Sequence, residues 1–345
     1  MTDIDALRSL RADLRKRGFF RRPTARLVGE LVVHVAVMTA GVALLFSAQS
    51  WWTGGLGLLI ATAGAMGVGT NTHTSSHSAT SNRIWINCAL TYFGYPVILG
   101  LSATYWWDKH VLRHHSGPNM KGVDGDFDLM PWFAGTLHDV EESRGWRRIY
   151  YEHAQSMVFP FAVAFTLFAQ QLSGGLYLWR SLRDRKLRRT EHWIDASALV
   201  THVAIWLVVP SLFLRPSWVV AIYVVRNLLN SYAMLIVFAP AHMPAEALRI
   251  TNDPDRLAHP LAHTSTTLNF RTGRLGRWLC GGLQYQIEHH LVPDISHVHY
   301  PEISELVKEF CERQGLPYRC HDWSEGLWLA WMSIKTPNRL ERLKL

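Results

Sequence analysis

Cysteine is scarce in this chain, and its placement excludes two common architectures. Only four occur in 345 residues, at Cys88, Cys280, Cys311 and Cys320, and none forms a CxxC pair. Neither a thiolate zinc site nor a secreted disulfide scaffold is expected, and a reducing compartment is the default. Charge is also thin, at 18% of residues against 48% apolar, with 15 tryptophans. That balance points to a membrane protein, while a near-neutral mean hydropathy requires a sizeable aqueous portion as well. No apolar run precedes residue 27, so no cleavable signal peptide is expected.

The net charge of +8 raises the possibility of nucleic acid. However, the basic residues concentrate beside apolar segments, from Arg8 to Arg26 and from Arg180 to Arg189. This placement follows the positive-inside rule, and no nucleic-acid partner is expected. Residues 1–26 run from acidic to basic and read as an amphipathic helix on the cytoplasmic membrane surface.

A spanning helix needs about 20 mainly apolar residues. Four segments meet this: Leu27 to Ser47, Trp51 to Gly69, Ala196 to Leu214 and Trp218 to Ala239. They pair into two transmembrane hairpins, 27–69 and 196–239. Ile84 to Trp107 and Met157 to Trp179 are nearly as apolar, but the second is broken by Gln170-Gln171 and Ser173-Gly174-Gly175 and followed by a basic run. Counting them as spans would separate the histidines described next, so both are expected to be interfacial or re-entrant. The predicted architecture is an all-α membrane protein of a single domain. Its four transmembrane helices are topped by interfacial helices and a helical cytoplasmic cap made of residues 70–195 and 240–345, with Pro301 to Arg313 amphipathic.

Three histidine clusters dominate what is present: His73-Thr-Ser-Ser-His77, His110-Val-Leu-Arg-His114-His115 and Gln286-Ile-Glu-His289-His290. Residues four apart share a helix face, so each cluster can aim at one locus, and the four-span topology brings all three to one side. Seven imidazoles exceed what one tetrahedral zinc needs, which predicts a dinuclear site. Imidazole type alone does not select among iron, zinc, copper and nickel. The Glu-x-x-His pattern of soluble di-iron bundles is missing. His242, where the last span meets the aqueous side, is either a helix-end residue or a further ligand. Asp124, Asp126 and Asp128 resemble a calcium loop, but Leu129 and Gly135 stand where glycine and glutamate are needed, which rejects it. Glu288 is expected to accept a hydrogen bond from a ligand imidazole, the alternative being a solvated residue at a helix end. Arg226, Asn227 and Asn230 lie inside the last span and are expected to line a substrate tunnel or hold its metal end, the two asparagines alternatively bonding helix to helix. Among the unpaired histidines, His153 and His263 flank the informative segments and are the exceptions to a structural reading of the rest.

The clusters resemble those of membrane fatty acid desaturases of the acyl-lipid and front-end type, whose pattern is HxxxH, HxxHH or HxxxHH, and (H/Q)xxHH. Gly281 to Pro293, GGLQYQIEHHLVP, is the most specific match, supported by WDKHVLRHHSGPN from Trp107 to Asn119 and by Asp124-Gly-Asp126. The likeness runs from about residue 25 to residue 305. It implies two Fe ions held by His73, His77, His110, His114, His115, His242, His289 and His290, with Gln286 as a weak partner. It also implies O2 as co-substrate and an acyl substrate drawn from the bilayer. Thr74 departs from relatives that carry Asp after the first histidine. No His-Pro-Gly-Gly haem motif stands in these residues, so a separate electron donor of ferredoxin, rubredoxin or cytochrome b5 type is expected. The alternatives are a hydroxylase, epoxidase or acetylenase on the same scaffold, or a non-enzymatic membrane metal protein. A transporter would carry its ligands mid-span, where only the isolated His34 and His202 sit.

Overall fold

A computed structural model of the chain describes residues 3–126 and 128–343. Among the described residues four single helices are long and apolar enough to cross a membrane: Thr24–Phe46, Trp51–Ser76, Thr190–Ser211 and Pro216–His242. They match the four expected spans. The second runs further than its apolar stretch, so that His73 lies in its last turn and His77 closes it. Thr, Asn and Ser are poor helix formers, yet residues 64–76 are all buried, and packing rather than propensity carries the helix through them.

The chain divides into two compact units. One comprises Arg22–Asp108 and Ala162–Leu235, and contains most of the apolar helices. Its first hairpin turns over residues 47–50, where Ser50 and Thr53 form a reciprocal capping box. Small residues let the two helices touch along their backbones: a Cβ on Gly41 would strike the backbone nitrogen of Ala61, and one on Gly64 that of Met38. The core joins Leu31, Met38, Ala65, Val68, Leu99 and Leu167. Neither of the two ambiguous stretches is one straight helix. Ile84–Leu99 and Ala103–His114 meet at 111°, around Gly100 in the left-handed conformation at φ 71°. The other is split into Gln155–Val163 and Thr166–Arg183. An apolar cavity of about 230 Å³ opens among Met38, Phe46, Leu58, Ile205, Trp206 and Arg226.

The second unit holds the chain up to Arg21, Lys109–Phe161 and the residues from Ile236 onward. Residues 70–108 and 162–195 thus cluster with the spans, and only 109–161 of the first predicted cap segment joins the C-terminal region. The fold is helical apart from two short parallel ladders, Arg249–Ile250 with Leu340–Glu341 and Asn269–Arg271 with Cys320–Asp322. The helix Tyr300–Gln314 is amphipathic as predicted, and its Ile303, Val307 and Phe310 face a core shared with Ile287 and Leu291.

The N-terminal helix Asp3–Lys16 corrects the sequence reading. Its apolar face does not lie open to a membrane surface: Ala6, Leu10 and Leu14 are buried in that same core. Arg11 Nη2 reaches both carboxylate oxygens of Asp294, at 2.9 and 2.7 Å. Amphipathic spacing reveals that a face must be covered, and protein covers this one.

Candidate metal centre

The second histidine cluster sits on an unusual helix. Trp107–His114 is π-helical, a geometry that recurs at functional sites. It leaves the rings of His110 and His114 stacked, with centroids 4.9 Å apart, and turns His115 edge-on to His110 at 5.0 Å. The third cluster is carried by the short, wholly buried helix Gln286–Leu291. His242 ends the long helix Pro216–His242.

These elements build two adjoining groups of imidazoles within one unit. Ring nitrogens of His114, His242 and His290 lie within 4.8 Å of one another, and so do those of His110, His115 and His289. The rings of His115 and His290 stack at 4.4 Å and form a common wall. Gln286 Oε1 stands 3.4 Å from His242 Nε2, at the rim of the first group. In the other unit, His73 and His77 present their rings 4.8 Å apart, and Trp106 and Trp107 both donate indole hydrogen bonds to Ser76 beside them.

Carboxylates stand behind the imidazoles. Asp124 Oδ2 lies 2.8 Å from His114 Nδ1 and also accepts the Asn119 backbone N–H at 2.8 Å. Asp126 Oδ2 is 3.5 Å from His110 Nδ1, while its other oxygen pairs with Lys109 at 2.7 Å. Tyr300 OH lies 3.1 Å from His289 Nδ1. An imidazole that donates from Nδ1 presents a lone pair at Nε2, which is how outer partners orient metal ligands. Asn119 fixes this arrangement, because its Nδ2 donates to the carbonyls of His242, Ala247 and Thr266 at 2.9, 3.2 and 3.1 Å.

Burial sets the charge state. Loss of solvent pushes His110 down to about 4 against the opposing Asp126 hydrogen bond, and pushes His290 well below its ordinary value. For His114 burial also acts downward, but the charge and hydrogen bond of Asp124 outweigh it and the net shift is upward. Both ring nitrogens of His290 are buried without a hydrogen-bond partner among the described residues. A neutral imidazole buried with two orphaned nitrogens is costly, and a metal removes that cost. The donor set therefore fits a metal, and imidazole ligands with carboxylates behind them can take iron as they can zinc, copper or nickel.

The structure relocates several predicted residues. Glu288 does not face an imidazole: it is fully buried, with Asn269 Nδ2 donating to Oε2 and Tyr318 OH to Oε1, each at 2.8 Å. Burial raises its carboxyl to about 7. Arg226 lines the apolar cavity, whereas Asn227 and Asn230 are absent from its walls. Asn227 bonds Gln171 on another helix at 3.2 Å, and Asn230 Nδ2 donates to the Arg226 carbonyl of its own helix at 2.9 Å. His153 is exposed beside Glu152 and far from any ligand role. His263 is buried, with Nδ1 2.8 Å from the His290 carbonyl. Asn119, Asp124, Asp126 and Tyr300 were not singled out as site residues by spacing; the Asp124-Gly-Asp126 motif, ten residues beyond His114, was the signal for two of them.

A family model described as fatty acid desaturase matches residues 49–322. The chain is 31% identical over 259 residues to the Delta(8)-fatty-acid desaturase of Euglena gracilis, covering 73% of this chain and 59% of that protein. It is 25% identical over 325 residues to the acyl-lipid (9-3)-desaturase of Physcomitrium patens, covering 90% and 58%. Against the sn-1 linoleoyl-lipid 6-desaturase of Arthrospira platensis it is 28% identical over 327 residues, covering 88% and 84%. The chain thus spans somewhat over half the length of the first two relatives and most of the third. Matched over the greater part of its length by the family model, with its histidine clusters inside that match, the chain belongs to the fatty acid desaturase family.

Proposed function

We propose that this protein introduces a carbon–carbon double bond into a fatty acyl chain reached from the bilayer, using O2 and two electrons at a histidine-held pair of Fe ions. The single observation that carries this reading is the pair of buried imidazole groups, His114/His242/His290 and His110/His115/His289, in a member of this family. His73 and His77 complete the ligand set in this reading, supported by their paired, buried rings.

An unactivated methylene offers no proton acidic enough for a side-chain base, so the bound cofactor must supply the oxidising power. Iron in such a site, with O2, supplies an oxidant able to break that bond; two acyl hydrogens, two electrons and two protons leave with the oxygen as two waters. The chain's own residues do the rest. Asp124, Asp126 and Tyr300 hold His114, His110 and His289 with Nε2 turned inward, and Asn119 locks the Asp124 loop to the end of the last span. The burial of every imidazole in both groups excludes the bulk water that would quench a strong oxidant. The apolar cavity among the spans, walled by Met38, Val42, Leu58 and Ile205, offers room for the apolar end of a substrate.

The cytoplasmic face carries the site in this proposal, because the basic run Arg180 to Arg189 precedes the third span on the side where the histidines must lie. The electrons come from a separate donor of ferredoxin, rubredoxin or cytochrome b5 type, attracted by the basic surface. Mass spectrometry of acyl chains from cells expressing the protein tests the reading. A product two hydrogens lighter, lost in His289→Ala with membrane insertion retained, is expected. A hydroxylated or epoxidised product would move the assignment to another reaction on this scaffold, and full activity in His289→Ala would overturn the site.

A further inference from the structure

The break between Ile84–Leu99 and Ala103–His114 places unpaired backbone groups within the apolar unit. A helix end leaves its last carbonyls and the next helix's first N–H groups without intrahelical partners, and lipid offers no water to satisfy them. Three consecutive carbonyls end the first arm, and each receives a donor from a different helix. His202 Nδ1 lies 3.0 Å from the Val97 oxygen, Arg226 Nη2 donates to Ile98, and Gln171 Nε2 donates to Leu99 at 2.9 Å. Across the break Asp195, fully buried, accepts from the Ala103 and Thr104 N–H groups at 3.0 and 2.9 Å. It accepts as well from the hydroxyls of Ser102 and Thr104, at 2.7 and 2.6 Å.

The charges match the ends they hold. A cation at a helix C-terminus and an anion at an N-terminus both oppose the local dipole. Among the described residues neither Arg226 nor Asp195 pairs with an opposite side-chain charge: Arg226 donates to the Ile98 carbonyl and, at 3.0 Å, to Asn227 Oδ1, and Asp195 takes the N–H groups and hydroxyls at the break. Buried ionisable groups in a span are costly and mark function by default. Tyr223 OH braces the set, at 2.9 Å from His202 Nε2 and 3.4 Å from Gln171 Nε2, and the Arg226 guanidinium lies 4.0 Å over the Trp206 ring. Gly100 admits no side chain, since a Cβ there would crowd Gln171 and His202.

We propose that Asp195 and Arg226 are positioning residues that fix the direction of this turn and so present His110, His114 and His115, borne on the arm beyond it, to the metals. The inference rests on the metal reading above and assigns Arg226 a task other than lining a tunnel. The arm continues without interruption from Ala103 to His114, so a change of pitch at Ala103 is carried to the ligands.

The test uses the full chain, purified in detergent and supplied with ferrous iron, as wild type and as Asp195→Asn, Arg226→Met, Arg226→Lys and Tyr223→Phe. Iron per chain, retention against a chelator and the Mössbauer signature of the iron sites are read, with elution profile as the check on folding. Asp195→Asn and Arg226→Met are expected to hold iron about ten- to a hundred-fold more weakly, the range for partners behind ligands, with an altered signature. Arg226→Lys is expected to recover most of the loss. Tyr223→Phe, which removes one hydroxyl and leaves the fold able to form, is expected to shift retention in the same direction by a smaller factor. Wild-type retention and signature in Asp195→Asn, Arg226→Met and Tyr223→Phe would overturn the proposal while leaving the metal reading intact. A wild-type chain that takes up no iron would overturn both.

Discussion

His114 Nδ1 and Asp124 Oδ2 lie 2.8 Å apart, with both side chains almost wholly removed from solvent. Asp124 is itself fixed by the backbone N–H of Asn119, whose side chain holds the carbonyl of His242. One loop therefore orients an imidazole of the second cluster and anchors the end of the last span. Asp124→Asn is expected to reduce iron affinity about ten- to a hundred-fold, measured by chelator competition. Affinity equal to wild type would show that the ring of His114 is held by packing alone.

Leu14 tests where the N-terminal helix lies. It is fully buried against the C-terminal helices, so Leu14→Ala is expected to cost about 2–5 kcal/mol of stability, seen as a lower thermal midpoint of the full chain in detergent. A side chain resting on a membrane surface would leave that midpoint nearly unchanged.

Tyr318 and Asn269 satisfy both oxygens of the buried Glu288. Tyr318→Phe strips one donor and leaves a buried oxygen unmatched, at an expected cost of about 1–3 kcal/mol. The comparison variant Glu288→Gln should be milder, because an amide can still accept one of the two bonds. Equal stability of all three proteins in thermal unfolding would contradict the assigned network.

The apolar cavity makes a prediction about substrate. Val42 lines it, and Val42→Phe is expected to shift the product spectrum toward shorter acyl chains while iron content stays at the wild-type value. An unchanged chain-length profile from mass spectrometry would remove the cavity from the substrate's path.

What the sequence discloses follows from the range of the forces involved. The four spans are legible because a run of apolar side chains is a local property, and the histidine clusters because i and i+4 positions are neighbours on a helix. The π-helical winding of Trp107–His114 is not legible, since its spacing is also that of an α-helix. Neither is the role of Asn119, whose partners lie 123 and 147 residues away, nor the true partners of Glu288, 19 and 30 residues distant. Its sequence neighbours His289 and His290 suggest an imidazole partner for Glu288, but adjacency along a helix does not fix which element a side chain meets, and Asn269 and Tyr318 take both of its oxygens. The N-terminal helix was placed on a membrane because amphipathic periodicity identifies an apolar face and says nothing of what covers it.

The most direct test of the central claim is the metal content of the full chain, purified gently in detergent after growth with adequate iron. The account predicts about two irons per chain, falling in His290→Ala, whose two buried ring nitrogens have no hydrogen-bond partner among the described residues. A single zinc, or a chain that takes up no iron even after reconstitution, would contradict it.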